Sequence, residues 1–236
     1  MTDTEKIADG QNQTLGGGPL LTRETPDHHA IRDIDESGRV FALTTDPTQL
    51  EIAGAFEQRV WDEEGYGSLE SYAELFSGAR TITAFDGDEC VGIVRLFGGN
   101  NLPPFITEMP YESEEEKRRI VSAYGNGTVE ELGTIAVDKS LRGRDSLIFE
   151  RLARLAYRDA RQRQMKEWGI IMEPARVDKM NRDFGFTFRR FGPTIDYQGG
   201  ECAAHVMDLQ EVDDNMRTKF PDIYNWFVNE PLIRAK

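Results

Sequence analysis

Along this 236-residue chain the apolar positions fall into blocks whose period switches between two and about four, and the switches mark out the elements. Residues 1–37 are polar, contain Gly16, Gly17 and Gly18, and hold neither period, which predicts a flexible N-terminal arm. A short strand follows at 39–44. Asp46 and Pro47 then open a helix: an acceptor at the cap, and a proline where the missing N–H costs nothing. Leu50, Ile52, Ala53, Phe56 and Val60 make one apolar stripe as far as Trp61. A second short helix is predicted over 69–76. Two alternating runs, 80–85 and 89–97, flank Asp86-Gly87-Asp88 and predict a hairpin. After a loop over 98–104, Ser113 and the three glutamates behind it start a charged helix.

The second half repeats the alternation. A buried strand is expected at 130–137, a long helix at 145–166, a strand at 168–173 and a helix at 177–184. Strands follow at 186–191 and 201–208, then a helical piece from 213 that Pro221 interrupts. Strand, helix, helix, three strands, helix, strand, helix, strand, strand indicates one mixed α/β domain, a mostly antiparallel sheet with helices on both faces. The expected division is arm 1–37, domain 38–210 and a C-terminal helical extension 211–236 packed on the core.

Composition adds exclusions. A formal charge of -14 opposes general affinity for nucleic acid or anionic membranes. No apolar run approaches the ~18 residues of a spanning helix, and the N-terminus does not read as a signal peptide, so a cytoplasmic location is expected. Cys90 and Cys202 fit neither a disulfide framework nor a metal finger. Three histidines, His28, His29 and His205, supply neither a triad nor a zinc site, so no metal is expected.

The average charge hides a local exception. Residues 139–166 carry nine basic side chains against three acidic ones, a stretch of +6 in a chain whose remainder is -20. Arg144, Arg151, Arg154, Arg158 and Arg161 share one helix face. Either they are tied to acids elsewhere, or they form a docking strip for an anionic partner. The turn before them is more specific. A strand ending at Val137, a glycine turn and a helix start can cradle a phosphate, with Arg142 and Arg144 as cationic donors.

Here the chain resembles a family. Glu131-Leu-Gly-Thr-Ile-Ala-Val137, then Arg142-Gly143 and the long helix, is similar to the acyl-donor motif of GNAT-fold acyltransferases. Ser140 stands where that loop carries Arg or Gln, and Asp145 where it carries a small residue. Other segments resemble the N-acyl amino acid synthase and N-acyl homoserine lactone synthase branch. They are Phe56-x-x-Arg59-Val60-Trp61 with acids behind it, Gly92-x-x-Arg95-Leu96 with the loop to Phe105, and 191–200. Thr134 replaces an arginine of that branch.

The resemblance implies an N-acyltransferase with no permanently bound cofactor. It would move a medium or long acyl group from acyl-phosphopantetheine, on acyl carrier protein or CoA, to a primary amine such as an amino acid. It also implies a central strand that splays after Val137, its free N–H groups binding the donor beside Val137, Arg142, Gly143 and Arg144. Glu131, with Glu130 as fallback, would take the amine proton, and burial in an apolar strand would raise its pKa. A buried Arg95 demands a carboxylate: Glu64, Glu131 or that of the substrate. Glu64 could meet a substrate amine, and Trp61, Phe97 and Phe105 could line an acyl tunnel. The alternatives are a short-chain or acetyl-CoA enzyme acting on a small amine or peptide, and a non-catalytic module that binds an acyl or carrier partner.

Overall fold

The computed structural model describes residues 31–66, 78–98, 109–143 and 147–232. Nine strands form one sheet: β1 (Arg32–Ile34), β2 (Val40–Thr44), β3 (Arg80–Asp86), β4 (Glu89–Gly98), β5 (Val129–Val137), β6 (Glu167–Met172), β7 (Arg189–Arg190), β8 (Ile195–Tyr197) and β9 (Gly200–Asp208). Their order is β1-β2-β3-β4-β5-β6-β9-β7, with β8 hairpinned onto β9. Every pairing is antiparallel except β5 with β6.

Helix α1 (Pro47–Glu64) lies on one face, where Ala53, Phe56 and Val60 meet Phe85, Ile93 and Ala136. Asp46 caps it by accepting from the Gln49 N–H at 2.9 Å. Helix α2 (Glu114–Gly125) covers the same face further along, burying Ile120 against Ala204 and Val206. The other face holds α3 (Ile148–Gln162), α4 (Pro174–Phe184), α5 (Leu209–Lys219) and the turns from Pro221 to Asn229, around Trp168, Tyr157 and Phe227.

Several sequence expectations need correction. Residues 32–34, read as part of the arm, are strand β1. The run 186–191 contributes only Arg189–Arg190, and β8 was not anticipated. Helix α3 ends at Gln162 instead of near 166, and α5 starts at Leu209, where Asp208 accepts from the Gln210 and Glu211 N–H groups at 2.8 Å. The expected helix at 69–76 lies outside the described residues.

Among the described residues the arginines of that face, Arg151, Arg154, Arg158 and Arg161, are tied to acids and carbonyls of their own chain, as the first of the two readings expects. Asp33 of β1, fully buried, receives Arg151 at 2.8 Å and Arg154 at 3.3 Å. Arg154 also donates to the Glu230 carbonyl at 2.8 Å, Arg158 to that of Phe227 at 2.6 Å, and Arg161 pairs with Asp213 at 2.5 Å. Burial, followed by the Arg158 charge, pushes Arg154 down to about 10. Removing Asp33 would strand a buried cation. Asp33→Ala is expected to cost about 3–5 kcal/mol, read as a lowered denaturation midpoint in urea.

The feature that positions the site is the way β5 leaves β6. Their parallel pairing runs only from Val129↔Glu167 to Leu132↔Ile170, while β5 continues to Val137 alongside β4. The separation begins at Gly133, not after Val137 as the resemblance implies. The reason is a bulge: Arg95 opposes Thr134 and Leu96 opposes Leu132, so Gly133 is the extra residue. A bulge sharpens strand twist and turns the strand away from its neighbour.

Candidate active site

Only glycine fits at the bulge. A Cβ there would lie 1.7 Å from Phe97 Cε2, and Phe97 is itself buried. Beyond it the β5 edge facing away from β4 has no strand beside it among the described residues. Asp138 N–H donates to the Val91 carbonyl at 3.0 Å, which fixes the alternation of the ladder. Ile135 and Val137 therefore occupy the non-bonded positions and turn their N–H and C=O groups outward.

The divergence opens a cleft of about 150 Å³. Its floor is β5 from Glu131 to Ile135. One wall is the end of α1, where Gly65 at φ 78° stops the helix and sets Trp61 and Tyr66 edge to face, 5.9 Å apart. The other wall comes from β6, the start of α4 with Glu173 and Arg176, Tyr197 and Gln198 of the β8–β9 turn, and Cys202. Behind it a smaller apolar hole of about 10 Å³ shares Leu132 and Ile135 with the cleft and reaches Phe149, Trp168 and Met180.

The adjacent glutamates 130 and 131 project to opposite faces, as strand alternation requires. Glu130 lies on the α3 face, fully buried, and accepts both Arg163 bonds at 2.6 and 2.7 Å and the Trp168 indole N–H at 3.2 Å. Burial pushes its carboxyl up against the opposing pull of Arg163. It does not line the cleft. Glu131 does, 1% exposed. Beside it stands Tyr111, whose hydroxyl is pushed up to about 12 by burial and then by the Glu131 carboxylate.

Solved structures share this architecture. The N-acyl amino acid synthase FeeM from uncultured soil microbes superposes with a TM-score of 0.58 at 18% identity, covering 75% of this chain and 94% of that one. The AHL synthase LasI gives 0.59 at 15%, covering 84% and 98%. A Lactobacillus plantarum protein described as an N-acetyltransferase gives 0.53 at 16%, covering 72% and 98%. The chain has the GNAT fold. No family model and no curated protein matches its sequence.

Within this GNAT fold the remaining anticipated residues take definite places. Arg95 sits between α1 and the sheet, its Nε on Glu57 at 2.6 Å and an Nη on Thr81 at 3.1 Å. It lies away from the cleft lining, and Glu57 was not among its expected partners. That acid could have been found, because position 57 falls inside the apolar stripe of α1 and is fully buried. Phe97 packs beneath Gly133 and shapes the bulge. Arg142 and Glu64 meet each other at 2.5 Å, and Arg142 Nε also donates to the outward Val137 carbonyl at 2.9 Å. Gly143 takes φ 66°, which favours glycine in the turn. Arg144 and Phe105 lie outside the described residues. Both cysteines are free thiols, Cys90 buried and Cys202 half-buried in the cleft wall. Tyr66, Glu173, Arg176, Tyr197 and Cys202 were missed, since no local motif marks them.

Proposed function

We propose that the protein is an N-acyltransferase, moving an acyl group from a phosphopantetheine thioester, on CoA or acyl carrier protein, to a primary amine such as an amino acid. The observation that carries this reading is the cleft itself. It opens where β5 leaves β6 and has buried Glu131 and the outward N–H of Ile135 in its floor, with the outward N–H of Val137 further along the same edge. An amide-bearing pantetheine arm would add to the free β5 edge as a short strand adds to a sheet.

In the reaction the amine lone pair attacks the thioester carbon and a C–N bond forms. The developing oxyanion is stabilised by a backbone N–H of that edge. Glu131 takes the ammonium proton, directly or through a water, the C–S bond breaks, and the thiolate takes a proton from solvent. Trp61, at the end of α1, would contact the acceptor or acyl chain. The apolar hole behind Leu132 and Ile135 has room for about one water, so a medium or long acyl chain needs those side chains to move aside, and the modest cleft volume keeps a short-chain acyl-CoA enzyme as the second reading. The two free thiols and the CoA or carrier donor fit a cytoplasmic setting.

Cys202 provides a test. Burial of Cys90, its thiol pushed up to about 12, leaves Cys202 as the more accessible target of iodoacetamide. A donor present at about ten times its Kd is expected to slow Cys202 alkylation roughly tenfold. Acetyl-CoA, longer acyl-CoAs and acyl carrier protein are compared as donors. Unchanged alkylation with every donor would remove the cleft as the donor site.

A further inference from the structure

Next to the cleft, whose wall includes Arg176, one carboxylate is bound by an arginine and lies in the field of two further cations. Glu64, the last residue of α1, accepts from Arg142 Nη1 at 2.5 Å, and the Arg142 bond, ahead of the charges of Lys139 and Arg176, holds its carboxyl below the usual range. These cations come from two elements. Lys139 and Arg142 belong to the turn after β5, and Arg176 belongs to α4 across the cleft, where Glu173 holds it at 2.7 Å. Arg142 is also seated on the outward Val137 carbonyl, at the end of the free β5 edge. Glu64 is only one of the ties between α1 and this turn. Arg59 pairs with Asp138 at 2.7 Å, and Asp138 in turn accepts from Ser140 N–H at 2.9 Å. The turn therefore keeps its anchorage if Glu64 lets go.

We propose that Glu64 is a stand-in for the donor's phosphate: Lys139, Arg142 and Arg176 form an anion site that the protein's own carboxylate fills until a phosphopantetheine phosphate displaces it. The inference rests on the acyl-transfer reading, which already places the donor beside this turn, and adds to it a carboxylate that competes with the phosphate. The pyrophosphate of CoA and the monoester of 4′-phosphopantetheine offer more acceptor oxygens and more charge than a carboxylate, so they satisfy the same guanidinium groups better, while the phosphodiester of a carrier-bound arm matches it. The cost of release is small, because Glu64 and Arg142 are both partly exposed, at 25% and 39%. Glu64 thus competes only with ligands that bring a phosphate to the site, and leaves a ligand without one unaffected.

The test is calorimetric titration of the full chain with 4′-phosphopantetheine, CoA and unphosphorylated pantetheine, and with holo-acyl carrier protein as a separate arm to distinguish the source of the phosphate. Glu64→Gln and Glu64→Ala are expected to bind the phosphorylated ligands about fivefold more tightly, the scale of an exposed ion pair, with pantetheine unchanged. Arg142→Ala is expected to weaken the phosphorylated ligands alone. If the phosphorylated ligands bind the wild type and neither Glu64 variant gains affinity, the stand-in role is wrong and the acyl-transfer reading survives. If no ligand binds the wild type or any variant, while circular dichroism shows them folded, both fall.

Discussion

Glu131→Gln is expected to lower turnover by about 10²- to 10⁴-fold, the range lost when a positioned proton acceptor is removed. The substitution keeps the shape of the side chain and removes its capacity to hold a proton at neutral pH. Glu131 is buried in the cleft floor, while the outward N–H groups of Ile135 and Val137 come from other positions on β5. Donor affinity should therefore change far less than rate. Thiol release at saturating donor measures the first quantity and calorimetry the second. Wild-type turnover in the variant would take Glu131 out of the mechanism. Glu130→Gln is the informative contrast. Its carboxylate holds Arg163 and Trp168 on the opposite face, so its loss should appear as lowered stability.

Gly133→Ala is expected to have the largest effect on the fold. The added methyl would overlap the Phe97 ring, with contacts of 1.7 and 2.3 Å to two ring carbons. Phe97 has little room to swing aside, because it is 1% exposed. Either the ring is forced off its rotamer or the bulge is lost, and overpacking of this kind costs about 1–3 kcal/mol or more. For a chain of this size the melting temperature should fall by roughly 2–4 °C per kcal/mol. Losing the bulge would also straighten β5 towards β6 and narrow the cleft, so donor-dependent protection of Cys202 should weaken in the same variant. The double variant Phe97→Leu, Gly133→Ala should recover part of both losses. An unchanged melting temperature in Gly133→Ala would mean that Gly133 is not what opens the cleft.

The elements were largely legible because long periodic runs decide them. The stripe from Ala53 to Val60, the Asp86-Gly87 hairpin and the apolar β5 all fold as their periods predict. The misses have local causes. Strand β1 is three residues long, and its buried member, Asp33, is a charge that makes sense only once α3 delivers Arg151 and Arg154 to it. Those arginines looked like a surface for the same reason: their acid partners lie more than a hundred residues away. In the site, the sequence marked both Glu130 and Glu131, but which faces the cleft depends on where the bulge falls. The opposite wall could not be read at all, since Arg176, Tyr197 and Cys202 are brought together by β6 and β9 meeting in the sheet.

The central claim is that this cleft joins an acyl group to an amine through Glu131. Mass spectrometry of lipid extracts from cells expressing the wild-type chain or Glu131→Gln tests it most directly, because the product carries both the acyl chain and the acceptor. The predicted result is an N-acyl amine that accumulates with the wild type and is absent with the variant. Identical extracts from both strains, with both proteins folded and abundant, would contradict the account.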